Sequence, residues 1–195
     1  MKLTVFYDYI CPFCYMTSKN IDALSNEYDL EIDWKGIEIH PEYPTGGVES
    51  SKSLRSLKAA ETIKQTAGET GMRITLPGFR TNSRLSLEAS EFAKKRNLFG
   101  AMHRALYDAY FLEKKNIGDV NIILELGETA GIDRALLEEC LHERSMSGQI
   151  EENKKIAAEY GVLGVPTLLL SNFPVHGNQS LDTLRHMVKR AVERS

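Results

Sequence analysis

Cys11-Pro12-Phe13-Cys14 closes a short apolar run and opens a helical one. Upstream, Leu3-Thr4-Val5-Phe6-Tyr7-Asp8 is rich in strand formers. Its alternation puts Leu3, Val5 and Tyr7 on one face and Thr4, Phe6 and Asp8 on the other. Downstream, Cys14, Thr17, Ile21, Leu24 and Tyr28 follow helical spacing, which predicts a helix with one inward stripe. Pro12 falls at the first helical position, where its missing N–H costs nothing and its fixed φ suits the turn. Cys11 then stands at the positive end of the helix, where the dipole and free backbone N–H groups stabilise a thiolate. Cys14 lies one turn further in. A dithiol that cycles between thiol and disulfide needs this pairing of an exposed, attacking sulfur with a shielded, resolving one.

Two other readings of the pair are open. A structural zinc site wants four ligands, usually in two close pairs. Here the third cysteine, Cys140, is alone, and the five histidines form no second pair at ligand spacing. Two inert core cysteines are the other possibility, although Pro-Phe between them at a helix start is a poor core pattern. Cys140 itself lies on an apolar helical stripe and reads as a small core residue. Far along the chain, Gly161-Val162-Leu163-Gly164-Val165-Pro166-Thr167 ends a helix and enters the apolar run Leu168-Leu169-Leu170. Proline cannot donate to a strand ladder, so Pro166 belongs at a strand start or edge.

The chain has 195 residues, 42% of them hydrophobic, and a formal net charge of −3. These values describe an ordinary globular protein and give no case for nucleic acid or a membrane surface. No signal-like segment or membrane-length run is seen, and three cysteines make no disulfide framework, so the expected compartment is the cytoplasm. A second strand is expected from Asp29 to His40, with Glu38 continuing an apolar face. Glu38, and Asp8 three residues before Cys11, are candidate proton acceptors or modulators of thiol acidity near the dithiol; a solvated or hydrogen-bonded strand end is the alternative for Glu38. From about Ser50 to Tyr160 the pattern is helices only, with Asp119 as the N-cap of one and Asp133 beginning the next. Leu168–Leu170 and Phe173–Gly177 read as an antiparallel pair about Ser171-Asn172. An amphipathic helix follows from Ser180. The reading is an α/β chain with residues 1–48 and 161–195 in one domain and 49–160 as an inserted helical one.

Cys-x-x-Cys after a first strand, with Val165-Pro166-Thr167 before a later one, resembles the thioredoxin superfamily. The order strand–helix–strand, helical insertion, strand–strand–helix resembles its DsbA-like branch. Glu38-Ile39-His40-Pro41, Thr81-Asn82-Ser83-Arg84-Leu85, and Ala105-Leu106-Tyr107-Asp108-Ala109-Tyr110-Phe111 resemble segments of the FrnE-like thiol–disulfide oxidoreductases. That resemblance covers essentially the whole chain. It implies a thioredoxin-like fold, Cys11 and Cys14 as catalytic residues, and a cis Pro166 beside them. Phe13, Val165, Pro166 and Thr167 would line the substrate contact. Protein or small-molecule dithiols and disulfides are the implied partners, with no metal and no cofactor; glutathione is the one candidate co-substrate. The glutathione transferase kappa and hydroxychromene-carboxylate isomerase group shares the architecture but typically has serine where Cys11 stands. Glutathione-dependent transfer or isomerisation is therefore the alternative. DsbA itself has histidine where Phe13 stands, so one charge that holds the thiolate is absent.

Overall fold

Leu3, Val5, Phe6 and Tyr7 are all buried, because the strand they form, β1 (Lys2–Tyr7), lies inside the sheet with both faces covered. The computed structural model describes residues 1–170 and 173–192, so the expected turn at Ser171-Asn172 lies outside the described residues. β1 pairs in parallel with β2 (Glu31–Gly36), from Lys2 opposite Glu31 to Tyr7 opposite Gly36. On its other side it runs antiparallel to β5 (Thr167–Leu170), which pairs with β6 (Phe173–His176). The four-stranded order is β2-β1-β5-β6. Leu3, Val5, Leu168 and Leu170 face the main apolar cluster with Ile21 and Leu24 of α1 (Pro12–Ser25) and Leu184 and Val188 of α8 (Leu181–Val192). Phe6 and Leu169 point the other way, onto Ala157 of α7 (Ser147–Glu159). Each such fully buried aliphatic or aromatic side chain contributes roughly 1.5–3 kcal/mol.

Between the two halves of the sheet run α2 (Leu54–Glu69), α3 (Arg84–Lys94), α4 (Phe99–Phe111), α5 (Val120–Thr129) and α6 (Arg134–His142), then α7. Asp119 and Asp133 cap α5 and α6, accepting from the N–H groups of Asn121 and Leu136. Three expectations are corrected. The second strand stops at Gly36 rather than His40. There the flank of the sheet is taken by Leu87 of α3, which leaves no room for a Cβ at Gly36. β1 turns away at Asp8, so the ladder has no partner to continue on. The stretch of helices is broken by a two-stranded ribbon, β3 (Val48–Glu49) against β4 (Phe79–Arg80). And α1 ends at Ser25, short of Tyr28, while burying far more than one stripe, because the helices of the insertion and α8 cover separate faces of it. Among the described residues no helix is long and apolar enough to cross a membrane.

The insertion is tied down where three loops meet. Gly118 lies so close to them that a Cβ would strike Thr81 Oγ1, the Thr45 carbonyl oxygen at 2.7 Å and the Asn82 carbonyl oxygen at 2.9 Å. Asn116 Nδ2 donates to the same Thr45 oxygen, and Thr81 Oγ1 donates to it at 3.1 Å. Gly118→Ala is therefore expected to lower stability by about 1–3 kcal/mol, as overpacking against backbone does. Gly148→Ala, in the first turn of α7 with open space around it, should raise stability by up to about 1 kcal/mol. Urea unfolding of both variants checks this; equal midpoints would contradict it.

Candidate functional site

Pro12 begins α1, and Cys11 is its N-cap, in extended conformation with φ −90° and ψ 113°. The Cys14 N–H donates to Cys11 Sγ at 3.3 Å, so a sulfur fills the place a serine or aspartate oxygen usually takes at a helix start. Cys11 Sγ also lies 3.6 Å from the carbonyl oxygen of Val165 and donates to it. Both residues are covered, Cys11 6% exposed and Cys14 1%. The contrast between an exposed and a shielded sulfur is thus smaller than the spacing suggests, because the loop before β5 folds over Cys11. Burial pushes the Cys14 thiol well up, and the neighbouring Cys11 adds to the effect. Cys11, Cys14 and Cys140 are all free thiols.

The Val165–Pro166 peptide bond is cis. The carbonyl groups on either side of Pro166 have different partners: that of Val165 meets Cys11, and that of Pro166 accepts from the Gly177 N–H at 2.8 Å. Thr167, expected at the substrate contact, is fully buried. Its hydroxyl donates to the Gly164 carbonyl at 2.7 Å and lies 3.1 Å from His176 Nδ1, so it fixes the loop instead of lining it. Pro166 is buried too, while Phe13 and Val165 are half-exposed. Cys140 sits far off in α6, 4% exposed, with its sulfur accepting from Ser145 Oγ.

Asp8 and Glu38 part company. Asp8 follows the last residue of β1 and is fully buried. Its carboxylate accepts from the Ile39 N–H at 2.9 Å and the Ile10 N–H at 3.3 Å. Burial outweighs these bonds and raises its pKa from 3.8 to about 6. Ser83 Oγ, buried beside it, has no hydrogen-bond partner at ordinary distance yet is near enough to favour the charged form. Asp8 is also close enough for its charge to be felt at the Cys14 sulfur. Glu38 lies beyond the strand, not on its apolar face, and is taken up by side chains from elsewhere in the fold. Asn82 Nδ2 donates to it at 2.8 Å, Arg84 lies at 3.4 Å and Lys154 at 3.5 Å. It is the anchor of a loop and has no contact with either sulfur.

Sequence reasoning missed a buried polar core behind the dithiol. Tyr9 OH lies 2.9 Å from His103 Nδ1, and Ser18 Oγ 3.1 Å from the other ring nitrogen. Tyr107 OH donates to the Asp8 carbonyl. Burial holds His103 well below the ordinary histidine range, so the ring is neutral. This core joins α4 to α1 and to the segment between β1 and Cys11. The only sequence signal for it was the tyrosine density of Tyr7-Asp8-Tyr9. Among the described residues no three His, Cys, Asp or Glu side chains gather as metal ligands.

The raised pKa of Asp8 has a defined sign. The folded chain holds the Asp8 proton up to about pH 6, the unfolded chain to about 3.8, so this group's contribution to stability falls as pH rises between those values and stays low above them. The difference is on the order of 3 kcal/mol. Asp8→Asn should lose that dependence: relative to the parent protein, its stability should improve by about that amount between pH 4 and pH 8. Thermal unfolding at both pH values measures it. An unchanged difference would show that Asp8 is ionised normally.

The chain matches the DSBA-like thioredoxin domain family over residues 2–189. The crystal structure of a probable DsbA oxidoreductase, SCO1869, from Streptomyces coelicolor superposes with a TM-score of 0.88 at 18% identity, covering 100% of this chain and 91% of that one. The cytosolic disulfide reductase DsbM of Pseudomonas aeruginosa, solved with GSH, gives a TM-score of 0.77 at 19% identity, with 99% and 100% covered. A 2-hydroxychromene-2-carboxylate isomerase of Pseudomonas putida is 22% identical over 97% of this chain and 95% of its own length. With the family matched from β1 through nearly all of α8, the chain belongs to the DSBA-like thioredoxin domain family.

Proposed function

We propose that this chain is a thiol–disulfide oxidoreductase acting on protein or small-molecule disulfides in the cytoplasm, with Cys11 as nucleophile and Cys14 as resolving thiol. One observation carries the reading: Cys11 Sγ is held between the Cys14 N–H and the Val165 carbonyl oxygen, at 3.3 and 3.6 Å. The helix-end N–H steadies negative charge on that sulfur. Once Cys11 has lost its proton, the Val165 carbonyl is released and the Val165 backbone can pair with an extended substrate by strand addition. Phe13 offers an apolar contact on the same side.

The Cys11 thiolate attacks a substrate disulfide. A Cys11–substrate bond forms, and the other substrate sulfur leaves with the electron pair. Asp8 takes the proton of Cys14. The Cys14 thiolate then attacks Cys11 Sγ, releasing the second substrate thiolate and leaving a Cys11–Cys14 disulfide. An external dithiol or glutathione restores the thiols, and the reverse sequence delivers a disulfide to a reduced substrate. The raised Asp8 pKa suits a group that must accept a proton near neutrality. The alternative, glutathione-dependent transfer or isomerisation at Cys11, gives Cys14 no chemical part, although its N–H and thiol both face Cys11.

Cys14→Ser should stop turnover and accumulate a mixed disulfide with oxidised substrate, released by dithiothreitol, because a serine hydroxyl cannot resolve it. Cys11→Ser should form none. Non-reducing gels and mass mapping display the contrast. No adduct on Cys14→Ser, together with loss of activity in Cys140→Ser, would remove the dithiol from the chemistry.

A further inference from the structure

β1 ends at Tyr7, but the stretches on either side of it run on. Between them lies a groove of about 490 Å³, lined by Ile37 and Ile39 on one side, Val162 and Val165 on the other, and Ala157 and Ala158 of α7. It opens at the carboxyl ends of the parallel strands, the end at which α/β sheets bind ligands. It reaches the dithiol through Val165, whose carbonyl oxygen touches Cys11, and through Ile39, whose N–H holds Asp8. On its rim Leu163 is 95% exposed, an apolar side chain left in water beside the site.

Two charged residues, Glu38 and Lys154, line this groove, and they are not equivalent. Glu38 is turned inward, its side chain 7% exposed, onto Asn82 and Arg84. The neighbouring carboxylates have closer cations: Glu88 is held by Arg84 and Arg144 at 2.8 and 2.7 Å, and Glu151 by Arg84 at 2.6 Å. Lys154 meets Glu38 and Glu151 only at 3.5 and 3.6 Å, and its side chain is 32% exposed. Of the two charges that line the groove, the ammonium group is the more exposed, and Glu38 and Glu151 hold it only loosely.

Building on the oxidoreductase reading, we propose that this groove binds the polypeptide flanking a substrate cysteine and selects an aliphatic residue followed by an acidic one. The aliphatic side chain packs among Ile37, Ile39 and Val162, and the carboxylate pairs with Lys154. The substrate class is thus protein disulfides in an acidic, aliphatic context.

The test uses the full chain carrying Cys14→Ser and short peptides whose cysteine bears a 2-pyridyl disulfide. Attack by Cys11 forms a bond to the peptide sulfur and breaks the old disulfide. Pyridine-2-thiolate leaves with the electron pair, takes up a proton and is followed by absorbance as the thione. Peptides with Leu-Glu beside the cysteine should react about fivefold faster than Leu-Lys peptides at low salt, the range open to one partly exposed ion pair. Lys154→Glu should reverse that order, and Lys154→Met, which adds no repulsion to Glu38, should erase it. Ala158→Trp should fill the groove and level all peptides, while the 2-pyridyl disulfide of mercaptoethanol reacts as before. Equal rates for all peptides, or an order that survives Lys154→Glu, overturn the groove assignment alone. No reaction with any peptide or with the mercaptoethanol disulfide overturns the oxidoreductase reading and this inference together.

Discussion

The sulfur of Cys11 serves as the cap of α1, and the site follows from that one contact. A helix start leaves backbone N–H groups without partners. Here one of them, on Cys14, is satisfied by a thiol sulfur that is also the group proposed to react. Pro12 makes the arrangement possible by contributing no N–H of its own and holding the first helical φ. The same turn brings the Cys14 thiol toward Cys11 from inside the helix, and burial keeps it protonated until a base removes its proton. Asp8, at the end of the strand that leads into this turn, is the group proposed to do so, and its charge is felt at the Cys14 sulfur.

Holding the contact in place requires the rest of the chain. The loop before β5 must sit over Cys11, and Thr167 and His176 fix it from below. The segment after β2 must keep Ile39 on Asp8. Asn82 does this by holding Glu38 and the Pro41 carbonyl, while Arg84 ties Glu38, Glu88 and Glu151 into one cluster. Buried ion pairs of this kind add little net stability, but breaking one side leaves an uncompensated charge, so they fix geometry well. On the opposite side, Tyr9, Ser18 and neutral His103 bind the helices of the insertion to α1. The helices between β2 and β5 thus brace the dithiol, sharing the main apolar cluster with the sheet.

How much of this could be read from residues alone depends on sequence distance. Cys11, Pro12 and Cys14 define a local structure, and their geometry follows from capping rules. The helix starts at Asp119 and Asp133 were legible for the same reason. Pro166 was legible through its resemblance to a known pattern. Glu38 was misplaced because the strand ends at Gly36, opposite the last residue of β1, and alternation in sequence cannot show where the partner strand turns away. Thr167 was misassigned because its neighbours Gly164 and His176 consume its hydroxyl in the fold. The groove charge on Lys154 depends on which of three glutamates Arg84 and Arg144 reach first, and no periodicity records that. Thr81-Asn82-Ser83-Arg84 carried the signal in part: the segment stood out, but its work of pinning the loop after β2 appears only in three dimensions.

The equilibrium of the reduced and oxidised chain with glutathione mixtures tests the dithiol most directly, with mass mapping to identify the bond formed. Phe13 supplies no positive charge to stabilise a thiolate, so the couple should be less oxidising than that of DsbA. A Cys11–Cys14 disulfide should form with a midpoint between roughly −270 and −120 mV, the values for thioredoxin and DsbA. Absence of that disulfide at every glutathione ratio, with Cys14 still alkylatable after unfolding, would contradict a redox role for the pair.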